Sequence, residues 1–217
     1  QRKHSPEFLF VESGVFDLAS LHQQVQALDA RLGEDLAMVR DGSVYLVRLP
    51  ILIGPEATLL VRDDETLRLS RDRGSYIVNA GNLWVIDASI VGWEEQKNSL
   101  AITEYPERYD YRPFVLTWSG GLLNAAGARF AALGYQYSKS YGLSYSSGPT
   151  TILKDRDDTA RRPLGAVIDT SFEQMFYAFY TLEADDIDVI GNELREGVCF
   201  NPNQVPEPSI EVNDDLD

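Results

Sequence analysis

Cysteine is nearly absent from this chain of 217 residues: Cys199 is the only one. No intramolecular disulfide can form, and no thiolate cluster can hold a metal. The apolar neighbours of Cys199, Val198 and Phe200, predict a buried thiol rather than a nucleophile. Histidine is almost as scarce, with only His4 and His22, so a His/Cys metal centre is excluded. Positive charge is also short. Lys and Arg number 19 against 34 Asp and Glu, a formal net charge of −15 at pH 7. That balance argues against nonspecific nucleic-acid binding, which needs a cationic surface. A polyanionic partner requires Arg and Lys gathered locally, and solubility is the simplest consequence of the acidity. No apolar run reaches the length needed to cross a bilayer. No signal-like segment follows Gln1, so a processed or excerpted start is expected. A Gly-rich phosphate loop and a nucleophile elbow are both missing. The acidic turn Asp63-Asp64-Glu65 lacks the repeat signature of calcium-binding solenoids. Neither a metal nor a cofactor is expected.

What the chain does have is a repeat. The pattern Val85-Ile86-Asp87-Ala88-Ser89-Ile90 returns as Ala125-Ala126-Gly127-Ala128-Arg129-Phe130. It comes back as Val167-Ile168-Asp169-Thr170-Ser171-Phe172 and as Val189-Ile190-Gly191-Asn192-Glu193-Leu194. Asp87 to Gly127 is 40 residues, Gly127 to Asp169 is 42, and Asp169 to Gly191 is 22. Solenoid turns run to roughly 20–29 residues. The shortest interval therefore fits a bare coil, and the longer two fit coils carrying a side loop. Trp93–Asp110 and Ser147–Pro163 are the loop candidates, both polar and charged. Asp87 and Asp169 hold equivalent places, which predicts turn-forming residues rather than a catalytic pair.

Apolar residues make up 44% of the chain, enough for a core. Residues 1–14 read as an irregular lead-in. Leu18, Leu21, Val25, Leu28 and Leu32 then recur at steps of three and four, predicting an amphipathic helix capped by Asp17 and ended by Gly33. Strand character begins at Ser43–Ile53, is interrupted by Pro50 and is closed by Gly54-Pro55. Thr58–Val61 and Thr66–Ser70 flank the acidic turn, and short strands continue to about residue 200. A second recurrence matches Tyr141-Gly142-Leu143-Ser144 to Tyr177-Ala178-Phe179-Tyr180. In register, Tyr141 is expected over Tyr177 and Leu143 over Phe179, with Gly142, Ser144, Ala178 and Tyr180 facing outward. The last segment, 201–217, holds three prolines and five acidic residues with no basic one, and reads as disordered. The predicted division is 1–55 for the helix and capping strands, 56–200 for the coils, and 201–217 for the tail. A stack of about four coils ending near Phe200 leaves apolar rungs and strand edges open, so self-association is expected.

Several short motifs, in order, resemble one family. They are Leu49-Pro50-Ile51 with Gly54, Leu67-Arg68-Leu69-Ser70, Val91-Gly92-Trp93, Arg112-Pro113-Phe114 and Trp118-Ser119-Gly120. Gly134-Tyr135, Ser138-Lys139-Ser140-Tyr141-Gly142, Met175-Phe176-Tyr177, Phe179-Tyr180 and Gly191-Asn192 follow. From about residue 44 to 194 this series resembles the periplasmic poly(β-D-mannuronate) C5-epimerases of alginate biosynthesis. The resemblance implies an all-β fold, a right-handed parallel β-helix, acting on polymeric mannuronate in the periplasm. It also implies an anionic polysaccharide as partner and contact with an envelope polymerisation and export complex. In that family the coil after Gly-Asn carries an Asp-Pro-His-Asp motif whose His is regarded as the catalytic base. Here the register continues Glu193-Leu194-Arg195-Glu196-Gly197-Val198, and the places of that His and last Asp fall at Val205 and Pro206.

C5 epimerisation removes a proton alpha to a carboxylate and returns one from the opposite face. It needs a cation on the carboxylate, a base on one side and a donor on the other. Arg112 and Lys139 lie in the family-like motifs and are candidates for the carboxylate, Arg as a planar fork and Lys as a point charge. Tyr141 and Tyr180 are the further groove contacts, and Tyr177 is an additional phenol. No catalytic base is assigned. Glu183 and Asp185 read as solvated turn acids. The expectation is an epimerase-like chain with little or no activity by itself. The alternatives are a non-catalytic polyuronate-binding β-helix, or a truncated gene product without present activity.

Overall fold

The four recurring motifs lie one above another. The computed structural model describes residues 8–32, 37–102, 110–137, 139–147, 162–196 and 210–212. Strand β1 (Leu9–Asp17) leads into the helix α1 (Leu18–Leu32). Then come β2 (Met38–Asp41), β3 (Val44–Val47), β4 (Ile51–Arg62), β5 (Thr66–Ser70) and β6 (Ile77–Asn79). The middle holds β7 (Asn82–Ile86), β8 (Ser89–Glu94), β9 (Ser99–Leu100), β10 (Val115–Trp118), β11 (Leu122–Ala126), β12 (Arg129–Ala131) and β13 (Gly142–Ser146). The last elements are β14 (Leu164–Ile168), β15 (Ser171–Glu173), β16 (Tyr177–Leu182), β17 (Ile187–Ile190), β18 (Glu193–Arg195) and β19 (Ile210–Val212).

These strands form three parallel stacks, which the chain visits in turn on every coil. The first runs from the second half of β4 through β7, β11 and β14 to β17. The second runs β3, β5, β8, β12, β15, β18. The third starts at the first half of β4 and runs β6, β10, β13, β16, β19. The fold is a parallel β-helix. Inward residues form apolar columns: Val61, Val85, Ala125 and Val167 in the first stack, and Leu67, Ile90, Phe130 and Phe172 in the second. Phe130 and Phe172 stack at 5.7 Å. Each fully buried large side chain contributes about 1.5–3 kcal/mol, and no single centre carries the core.

The turns between the first two stacks repeat as faithfully as the strands. Asp87, Gly127, Asp169 and Gly191 have φ of 48°, 57°, 47° and 67°. The amides of the first three donate to carbonyls of the next coil, at Ala126, Ile168 and Ile190. The carboxylates of Asp87 and Asp169 stand over the glycines. A Cβ on Gly127 would lie 2.2 Å from Asp87 Oδ1, and one on Gly191 2.2 Å from Asp169 Oδ1. Asn192 braces the corner by accepting from Thr170 N and donating to Val167 O, both at 2.9 Å.

The N-terminal part differs from expectation in two places. Residues Leu9–Asp17 are not an irregular lead-in but strand β1, paired along β4 with a register shift between Val11 and Ser13. Nor does Gly54-Pro55 close a strand: β4 runs through it, because β1 turns the same corner alongside. Pro55, which has no amide hydrogen to give, falls where that register shifts. Helix α1 starts as predicted, with Ser20 N donating to Asp17 Oδ1 at 2.8 Å and Asp17 N to Ser20 Oγ at 3.1 Å. Those hydrogen bonds, with Arg62 nearby, hold the Asp17 carboxyl below its ordinary range. Leu18, Leu21 and Val25 are buried, whereas Leu28 is exposed; Asp29 beside it is buried and accepts from Ala37 N at 2.8 Å. The side chain of Leu32, Gly33, Cys199, and residues 103–109 and 148–161 of the two side loops lie outside the described residues. So does the tail, apart from Ile210–Val212, which pairs with β16.

At the far end of the stack the interior opens. Val189 and Leu194 continue the buried columns but are 52% and 45% exposed. Two glycines test what the turn ladder is worth. Gly42, at φ 60°, has open space where a Cβ would go, whereas Gly127 has both a positive φ and the Asp87 carboxylate. Gly42→Ala should cost about 1–2 kcal/mol, the left-handed penalty alone. Gly127→Ala should cost roughly 2–5 kcal/mol, because overpacking adds to it. Denaturant unfolding of the two variants measures the difference.

Candidate functional site

The outer face of the third stack has one low rung between tall ones. In β13, Leu143 and Tyr145 point into the core, so Gly142, Ser144 and Ser146 point out. On the β10 side, Leu116 is opposite Ser144 and Trp118 opposite Ser146. On the β16 side, Tyr177 is opposite Gly142, Tyr180 opposite Ser144 and Leu182 opposite Ser146. Only glycine fits at 142, where a Cβ would come within 2.1 Å of Tyr177 O.

This register corrects the predicted one. Tyr177 lies opposite Gly142, not Tyr141, and a bulge places both Ala178 and Phe179 against Leu143. Ala178 therefore belongs to the core and does not face outward. The bulge lets Phe179 pack on Tyr145 at 5.2 Å while Tyr180 still reaches the outer face.

Three of the four expected site residues lie along this strand, Tyr141 against Tyr180 and Lys139 against Trp118. The Tyr141 ring lies 4.6 Å from that of Tyr180 and 5.3 Å from that of Tyr177. Lys139 Nζ stands 4.6 Å over the Trp118 ring and donates to Ser147 O at 2.9 Å. Ser147 Oγ donates in turn to Glu183 Oε2. Burial draws the Lys139 ammonium down from its ordinary range, and Glu183 opposes that shift. Ser144 is fully buried, and its hydroxyl has no hydrogen-bond partner among the described residues.

Arg112 is placed differently. It is 2% exposed, and its Nη2 donates to Gln174 O at the corner after β15. Burial, with Arg71 adding to it, pulls the guanidinium down to about 9. The side chain faces the protein, not a groove. Around it runs a line of aromatic rings: Tyr76 on Phe114 at 4.8 Å, and Tyr135 against Tyr111 at 5.3 Å. The one histidine among the described residues, His22, lies in α1 with its ring 6.0 Å from Tyr45, and burial lowers its pKa. Among the described residues no imidazole lies on the Lys139 face.

Trp118, Ser144, Ser147 and Glu183 were not singled out as site residues from the sequence. Trp118 sat in a family-like motif, and the small residues at 142 and 144 were visible as a low strand surface. Glu183 read as a solvated turn acid, yet it accepts a hydrogen bond from Ser147.

Fold and site together define a parallel β-helix protein with a cation and aromatic rings gathered on one outer strand face. The chain is 35% identical over 204 residues to the mannuronan C5-epimerase of Pseudomonas aeruginosa, covering 92% of this chain and 35% of that protein. It is 34% identical over 196 residues to mannuronan C5-epimerase AlgG of Azotobacter vinelandii, covering 90% and 35%. A crystal structure of the periplasmic alginate epimerase AlgG superposes with a TM-score of 0.73 at 32% identity, over 84% of this chain and 41% of that one. A mutant form of AlgG gives 0.76 at 32% identity, over 87% and 42%. No family model matches the chain. The protein is a homologue of the mannuronan C5-epimerases over nine-tenths of its length, and it spans about a third of the length of the curated relatives it matches.

The Arg112 geometry makes a prediction about stability. Arg112→Ala leaves Gln174 O without its donor in a part-buried corner, so it should lose about 1.5–3 kcal/mol, the worth of a hydrogen bond to a charged group. Arg112→Lys should not recover the loss, because an ammonium cannot reproduce the planar fork. Thermal and denaturant melts of both variants check this.

Proposed function

We propose that this chain is part of a mannuronan C5-epimerase-like β-helix, which holds polymannuronate on the outer face of its third stack and by itself converts little or none of it to guluronate. The observation that carries the reading is that two contacts, Lys139 on Trp118 and Tyr141 on Tyr180, line one strand of an epimerase homologue. A uronate unit offers a carboxylate for the ammonium and an apolar C–H face for the rings. The net charge of −15 does not forbid this, since the field that matters is local.

The chemistry separates binding from turnover. Lys139 can neutralise the carboxylate whose alpha proton must leave. Tyr141 and Tyr180 offer phenols, which as neutral hydroxyls can donate a proton but need cationic help to act as a base. The Asp-Pro-His-Asp motif is not among the 217 residues, and both histidines lie in the first 22. In this reading Arg112 acts from behind the face, fixing the Gln174 corner.

Other parts of the reading follow from the same kinship. The coil is right-handed, the usual hand of parallel crossovers. The division is 1–55, 56–200 and 201–217, with the side loops near 93–110 and 147–163 flanking the polymer. The helix is amphipathic and covers the first coil. The chain works in the periplasm beside an envelope polymerisation and export complex.

Two measurements test the function. NMR of polymannuronate after incubation should show no guluronate anomeric signals; their clear appearance overturns the inactivity. Calorimetry should detect oligomannuronate and not a neutral oligomannose. Losing a hydrogen bond to a charged group is worth about 1.5–3 kcal/mol, so Lys139→Ala should weaken binding by roughly ten-fold or more. Binding without turnover is also what a standing polyuronate-binding module would give. A chain that binds nothing is neither.

A further inference from the structure

The low rung holds a polar atom that nothing satisfies. Ser144 is completely buried, and its hydroxyl has no hydrogen-bond partner among the described residues. Such atoms are rare in folded proteins, and a missing ligand is one of the few physical reasons to keep them. Strand alternation aims this one outward, because Leu143 and Tyr145 on either side are in the core. Its partners across the rungs are Leu116 and Tyr180, so the hydroxyl forms a floor between two tall side chains. The next outward serine is used differently, since Ser146 Oγ donates to Ser147 O at 3.1 Å.

The side chains beside this floor come from the chain itself. Lys139 and Tyr141 arrive from the turn just before β13, and both are held by exchangeable contacts. Lys139 donates a hydrogen bond to a backbone carbonyl and rests on Trp118, while the Tyr141 ring leans on Tyr180. A carboxylate is a stronger acceptor for an ammonium than a neutral carbonyl. A uronate can therefore draw Lys139 away from Ser147.

The geometry points to a single-sugar subsite at Ser144, between Leu116 and Tyr180, in which the serine hydroxyl bonds a hydroxyl of one uronate unit. It rests on the polyuronate reading above and adds to that face a specificity residue. The ligand class follows from the lining: a hydroxyl for a hydroxyl, an ammonium for a carboxylate, and Tyr180 and Trp118 for the C–H face of a pyranose.

The experiment is calorimetric titration of oligomannuronate into the wild-type protein, Ser144→Ala and Lys139→Ala, each with a thermal melt. Ser144→Ala removes a hydroxyl that serves nothing in the free protein, so it should melt at or above the wild-type temperature. It should bind about three- to ten-fold more weakly, the worth of one hydrogen bond. Wild-type affinity in Ser144→Ala overturns the subsite, leaving a trapped water as the hydroxyl's partner. A melting temperature lowered by several degrees overturns it too, since the serine would then be structural. If Lys139→Ala weakens binding while Ser144→Ala does not, only the subsite fails. If the wild-type protein binds no oligomannuronate, the polyuronate reading itself fails and takes the subsite with it.

Discussion

Everything in this molecule depends on parallel register being kept from coil to coil. In each stack a strand gives its amides and carbonyls to the strands above and below, and the ladder continues through the corners at Asp87, Gly127 and Asp169. Because the backbone spacing is set near 4.8 Å, equivalent side chains are forced into rows. Inside, the rows become the Val61–Val167 and Leu67–Phe172 columns. Outside, they decide which residues can stand next to each other, and hence what surface a ligand meets.

The candidate site is a product of that spacing. One rung with glycine and serine lies between rungs with leucine, tryptophan and tyrosine, so the small residues are covered by their taller neighbours. The bulge in β16 matters as much as the residue types, since it turns Tyr180 outward while Phe179 stays on Tyr145. Electrostatics follow the same local logic. Arg48, Arg129 and Arg162 are engaged with Glu95, Glu173 and Asp185. Lys139 is held instead by a carbonyl and a ring, an arrangement that an incoming anion can replace.

How much of this was legible in the sequence depends on the length scale. The coil was readable because its signal is repeated: inward apolar pairs and an Asp or Gly at the turn recur at separations of 40, 42 and 22 residues. The end of the helix at Asp17 was readable from a local cap. Strand β1 was not, because apolar Phe10 and Val15 face outward beside its one buried residue, Val11, so apolar and polar residues do not alternate along it. The continuity of β4 was hidden by Gly54-Pro55, which ordinarily breaks a strand and here follows a neighbour round a bend. The tyrosine register was off by one because a bulge leaves no mark in composition. Arg112 looked like a groove cation, since spacing cannot tell a guanidinium facing solvent from one buried against a carbonyl. Ser144 could be seen as small, but only the fold shows that its hydroxyl is left over.

The first corner ties neighbouring coils together through their side chains. The Asp87 carboxylate fills the space over Gly127, and that of Asp169 the space over Gly191. The coil before them meets Asp87 differently, since Asp64 donates its amide to Asp87 O at 2.9 Å. A side chain at 127 or 191 must displace the carboxylate of the preceding coil, so a coil at these places can be exchanged only together with its neighbour.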